Sequence, residues 1–246
     1  MIYSEYLSTA ELQRWVLDTD VAWDAIDAAL ARSQPELLDR VRDSALIESF
    51  FPLFTPRALE VLWDDVEATA VFSVQLYESY KHFHALNQYL LRVDYRPITE
   101  AEIVELRRAR RDLRYGDATR LLTRYMLSEH LAAHHFHKDS RQAREPVLAH
   151  LLQLIARDEV RHSQFAFDLL QRRLRAAPEE AEKVLDEARN FRHLGLDVLP
   201  AVPVAEKHDF AAIVTFNHKL ERLTGRGLQS LALEAVRGAA RPGMDA

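Results

Sequence analysis

Six side chains in this 246-residue sequence are of metal-binding type and fall at helical spacing. Glu159 and His162 lie three apart within Leu151 to Leu170, LLQLIARDEVRHSQFAFDLL. That stretch holds no Gly or Pro and reads as one helix, so the two side chains project from one face. Their neighbours on that face are Ile155, Ala156, Ala166 and Leu169. A carboxylate among apolar groups is costly unless something neutralises it, and a cation does so. Glu78 and His82, four apart, place a second such pair on another helix. Glu48 shares a stripe with Val41, Ala45 and Phe51, and Glu129 shares one with Leu122, Tyr125, Met126, Ala133 and Phe136. Inward carboxylates from four helices, with two imidazoles, are the ligand inventory of a bundle that holds two iron or manganese ions. Asp158, just before Glu159, is the candidate catalytic residue outside this ligand set. It is either an outer carboxylate that orients a ligand imidazole or a surface charge.

Helices must carry all of these groups. The first is expected to start at Thr9, an N-cap residue, and Pro35 opens the next. Pro52 and Pro56 allow two readings: a turn with a restart at Pro56, or a kinked helix that continues to about Leu62 and turns at Asp64-Asp65. The second brings Glu48 level with Glu78 in an antiparallel hairpin. A long helix is predicted from about Val66 to Arg92, ended by Tyr95-Arg96-Pro97, and Thr99 with Glu102 reads as a capping box. Another helix runs from about Ala118 to His137. The Glu159 helix begins near Ala143 or Pro146, Pro178 starts a further helix, and the last spans about Lys207 to Leu223. Histidines 130, 134, 135 and 137 do not share one face and read as surface or packing residues.

Composition sets the outer limits. Gly is rare and strong helix formers dominate, with no alternating β-branched run, so the chain reads as all-α. The absence of Cys excludes disulfides, iron–sulfur ligation and thiolate chemistry. A net charge of −6 with mixed signs argues against a strongly basic nucleic-acid binder. No apolar run reaches membrane-spanning length and no secretory signal is visible, so a cytoplasmic location without membrane insertion is expected.

The segment Ala156-Arg157-Asp158-Glu159-Val160-Arg161-His162 resembles the D-E-x-R-H signature of the soluble acyl-carrier-protein desaturases, a family of the ferritin-like superfamily. Glu129 followed by Arg141-Gln142-Ala143-Arg144-Glu145 is similar to that family's third metal helix. Glu78-Ser79-Tyr80-Lys81-His82, followed by Asn87-Gln88-Tyr89-Leu90, is similar to its E-E-x-R-H … N-x-Y-L pattern. Ile47-Glu48-Ser49-Phe50-Phe51-Pro52 weakly resembles its E-E-x-x-P segment. The resemblance covers roughly residues 40 to 180. It implies a ferritin-like four-helix bundle with extra flanking helices; residues 1–225 read as a single domain of that kind and 226–246 as a flexible tail. It implies two iron ions, or manganese in one or both places, with O₂ as co-substrate. Glu48, Glu78 and His82 would hold one ion, and Glu159, His162 and Glu129 the other. The implied reaction is oxidation of an acyl chain on an acyl carrier protein, with electrons from a donor such as ferredoxin and a homodimer as the assembly. Arginines of the 107–114 region, with Arg172, Arg173 and Arg175, would receive the acidic carrier. One position departs: the family's ligand Glu three residues before the second-helix His is Ser79 here, and the carboxylate is Glu78. Another dimetal oxygenase acting on a small molecule, or a ferritin-like metal-binding protein without activity, is the alternative.

Overall fold

The computed structural model describes residues 1–110, 114–200 and 210–228. It is all-α, and no strand occurs among the described residues. The helices are α1 (Ile2–Leu12), α2 (Leu17–Asp20), α3 (Ala28–Arg32), α4 (Pro35–Glu48), α5 (Phe51–Val61), α6 (Val66–Arg92), α7 (Glu100–Ala109), α8 (Ala118–Gln142), α9 (Pro146–Ala176), α10 (Ala181–Arg189) and α11 (Phe210–Thr224). The expected tail lies outside the described residues from 229 onward, as do residues 207–209 at the expected start of the last helix.

Capping side chains fix where the long helices begin. The Asp65 carboxylate accepts from Ala68 N–H at the start of α6, and Asp117 accepts from Arg120 N–H at the start of α8. Glu145 accepts from both Val147 and Leu148 N–H at the start of α9, with Pro146 in the first turn. Thr99 and Glu102 form the expected capping box on α7. Thr9 does not cap a helix: it lies inside α1, where IYSEYLSTAEL contains no breaker. Near the prolines the chain follows the kinked course. α4 ends at Glu48, α5 resumes at Phe51 with Pro52 in its first turn and Pro56 inside, and the turn falls at residues 62–65.

α8 and α9 form a closely packed antiparallel hairpin, joined by Ala143 to Glu145. α4 and α5 pack on α6, and α1 lies across α6 and α9. Two apolar clusters fill the interior. One gathers Phe50, Phe54, Leu62, Phe72, Leu122, Tyr125 and Phe165. The other gathers Val41, Ala45, Leu86, Tyr89, Phe136, Leu151 and Ile155. On every long helix the boundary between them falls at the predicted ligands: Glu48 on α4, residues 75–82 on α6, Glu129 on α8 and residues 158–163 on α9. A polar layer thus lies between two apolar ones.

Phe72 anchors one wall of that layer. It is fully buried and packs against Phe54, Tyr125 and Phe165, with ring centroids 6.3, 4.9 and 5.8 Å away. Phe72→Ala removes these contacts and leaves a cavity, so thermal or denaturant unfolding should show a loss of about 3–5 kcal/mol.

Candidate metal centre

Two groups of ligand atoms meet in the polar layer: Glu48, His82 and Glu159 form one, and Glu129, Glu159 and His162 the other. Each group could hold a metal ion, and Glu159 belongs to both. Its Oε1 lies 3.0 Å from His82 Nδ1 and its Oε2 lies 2.9 Å from His162 Nδ1. Glu48 Oε2 stands 3.9 Å from His82 Nδ1, and Glu129 Oε2 stands 4.0 Å from His162 Nδ1. All five residues are buried.

Each imidazole turns Nδ1 inward and has its outer nitrogen held by a carboxylate. His82 Nε2 lies 3.0 Å from Asp158 Oδ2, and His162 Nε2 lies 2.9 Å from Glu78 Oε2. A carboxylate here accepts, so it holds the proton on Nε2 and leaves the Nδ1 lone pair for the centre. The two outer carboxylates are themselves fixed. Arg161 Nη2 donates to Glu78 Oε1 at 2.6 Å and to Asp158 Oδ1 at 3.0 Å. Trp15 Nε1 donates to Asp158 Oδ2 at 2.7 Å, and the Tyr6 hydroxyl donates to Glu78. Trp15 also stacks on His82.

Five of the six predicted ligands are therefore brought together, and Glu78 is not among them. It sits behind His162, because Glu78 and Ser79 diverge by about 100° around the helix. The residue on the centre's side is Ser79, which is fully buried. Gln75 Nε2 donates to Ser79 Oγ at 2.6 Å. Asp158 is a buried orienting carboxylate, the first of its two sequence readings, and it positions His82 without facing the centre. Tyr6, Trp15 and Arg161 escaped the sequence reading. Arg161 lies within the quoted motif and so carried a signal, whereas Tyr6 and Trp15 precede the bundle and carried none. Among the basic residues expected to meet an acidic partner, three brace the fold, and Arg111 lies outside the described residues. Arg107 donates to Ser49 O at 2.8 Å, Arg110 to Asp197 O at 2.7 Å and Arg172 to Glu67 at 2.9 Å.

Orphaned atoms mark where a cation would fit. Glu48 Oε2, His82 Nδ1 and Glu159 Oε1 are buried without a hydrogen-bond partner, and they are the three atoms that face one another in the first group. Their oxygen and nitrogen donors suit a hard or borderline cation such as iron or manganese. Burial, then the charge of Glu159, pushes the carboxyls of Glu48 and Glu129 up. Burial opposes ionisation of Glu159 too, but the charge of His162 and hydrogen bonds to its neighbours hold it down. Burial likewise opposes charging of the imidazoles. The bond to Asp158 and the nearby carboxylate of Glu159 nevertheless raise His82 to about 10, and the charge and bonds of Glu159 and Glu78 raise His162 to about 9. Glu78 is brought down to about 2, against its burial, by His162 and Arg161.

Cation binding must displace the protons on Glu48, Glu129 and both Nδ1 atoms, so affinity should rise with pH until it passes the value of His82, about 10. Metal titrations at stepped pH, with proton release followed in weak buffer, check this. Glu159→Ala should empty both groups, and retention of full metal content would refute its assignment. Glu78→Gln should keep the number of bound ions and weaken them by about 10–100-fold; outright loss of one ion would make Glu78 a ligand after all. No protein-family model matches this chain, and no curated protein matches it.

Proposed function

We propose that this chain is an O₂-dependent oxidoreductase, a ferritin-like bundle built around two carboxylate-bridged redox-active ions, iron or manganese. The convergence of the three orphaned atoms of Glu48, His82 and Glu159 supports this most directly. Glu48 and His82 would hold one ion, Glu129 and His162 the other, with Glu159 between them. When bound, such a pair supplies the electrons and open positions for reducing O₂ while a substrate is oxidised. The chain's own residues do the rest. Asp158 and Glu78 keep both imidazoles in the ligating tautomer, and Arg161 locks the two carboxylates to each other. The apolar clusters above and below exclude water from the layer.

The resemblance points to an acyl chain on an acyl carrier protein as substrate, with a ferredoxin-type donor and a homodimer. A second reading, oxidation of a small molecule, is favoured by two observations. Ser79 stands where the resembled family has a ligand Glu. The cavity that borders Glu48 and Glu129 measures about 40 Å³, which suits a short group better than a long acyl chain.

Anaerobic loading with Fe(II), followed by metal analysis, should give two ions per chain. Exposure to O₂ with acyl-carrier substrates should then remove two hydrogens from the acyl chain, read by mass spectrometry. A filled centre that consumes O₂ and leaves acyl chains intact selects the small-molecule reading. A protein that retains neither iron nor manganese overturns both.

A further inference from the structure

α6 turns an uncharged face to solvent. Helical spacing puts Val66, Ser73, Tyr77, Tyr80, His84 and Leu91 on one stripe, and all six are exposed. Val66, Tyr77 and Leu91 are 79, 63 and 65% exposed. Among the described residues no Asp, Glu, Lys or Arg is exposed along this stripe. The other sides of α6 pack on α4, α5, α1 and α9. α9 shows the ordinary solvated alternative, with Arg157, Gln164 and Arg175 exposed. Depletion of charge together with exposed tyrosine marks the core of protein interfaces instead.

The stripe reads alike in both directions, which selects the partner. Val66 and Leu91, Ser73 and His84, and Tyr77 and Tyr80 stand at equal distances from a point between Glu78 and Ser79. A closed two-fold interface needs a patch that complements itself, so that residue i meets j while j meets i. An antiparallel pair of α6 helices with its axis at that point sets each apolar end on the other. It also sets Ser73 against His84 and the tyrosines on each other. Without charge on the stripe, no like charges meet across the axis and no charged partner is steered to it. The stripe is about 38 Å long and about 10 Å wide, roughly 400 Å² per copy. Trp63, 78% exposed just before α6, can add up to about 200 Å². Two copies then bury roughly 1,200 Å², where specific interfaces begin and association is reversible.

We propose that this face of α6 is where two copies of the chain meet, antiparallel about a two-fold axis at the height of Glu78 and Ser79. Pairing there requires neither metal nor substrate. The axis lies level with the polar layer, so the second copy covers the support of one imidazole. The Tyr77 ring lies 5.9 Å from Lys81 Nζ, Lys81 Nζ lies 4.1 Å over Trp15, and Trp15 donates to Asp158 behind His82. A partner helix laid on Tyr77 shields that chain of contacts from solvent.

Sedimentation velocity of the metal-free full chain, from about 1 to about 200 μM, is the test. The mass should pass from one chain to two, with a dissociation constant in the micromolar range. Tyr77→Glu sets like charges beside the axis and should weaken the dimer about a hundredfold. Its circular dichroism should stay unchanged, because the side chain is 63% exposed. Ser73→Glu combined with His84→Lys should still dimerise, since opposite charges then meet across the axis. Ser73→Glu combined with His84→Glu should stay monomeric. A chain that is monomeric throughout the range, or a dimer indifferent to Tyr77→Glu, would overturn the proposal. Equal behaviour of the two double variants would overturn the antiparallel pairing. Metal content measured on the same samples reports on the dimetal reading independently.

Discussion

Three carboxylates buried side by side are the constraint on which this molecule turns. Glu48, Glu129 and Glu159 lie between two apolar clusters, where each ionised group is expensive and each raises the cost of the others. The protein alone resolves this only in part. Two of the three are pushed towards their protonated forms, while the paired imidazoles keep Glu159 ionised. The helices around them are held by deep apolar packing and well-placed caps, which offset a polar layer that is costly in itself. The arrangement stores an unmet demand for positive charge at one place.

The outer ring explains how so polar a layer keeps a single geometry. Two imidazoles rest on two carboxylates, and one guanidinium ties those carboxylates together. α1 closes the ring through Tyr6, and the segment behind it contributes Trp15. Rotation of either imidazole would break a buried, charge-assisted hydrogen bond, so the Nδ1 atoms stay aimed at the centre. The N-terminal segment is therefore part of the site's support, although it supplies no ligand atom.

Much of this was legible in the sequence because helical period and burial cost are both local properties. The inward faces carrying Glu48, Glu129, Glu159 and His162 followed from spacing, and the all-α class from composition. The role of Glu78 was not legible. Residues three and four before His82 both share its face, one about 60° to one side and the other about 40° to the other. Which side meets the centre depends on how α6 is turned against α4 and α9, and that is a tertiary fact. Thr9 misled for a related reason: a good capping residue caps only where the chain before it is not already helical. Tyr6 and Trp15 reach the layer from far away in sequence, and no periodic pattern announces them.

Ser79 is the sharpest departure from the resembled pattern, and its surroundings bear on whether the centre is a relic. It is wholly buried, and its hydroxyl accepts a hydrogen bond from Gln75. A centre that held no cation would gain stability by trading its buried carboxylates for apolar side chains of similar size. Here all five ligand groups stand in place, with both outer carboxylates and their shared guanidinium. Position 79, where the resembled pattern has a carboxylate, carries a neutral buried hydroxyl here. Five buried candidate ligands, with everything that orients the two imidazoles intact, fit a layer able to hold a cation more closely than a purely structural one.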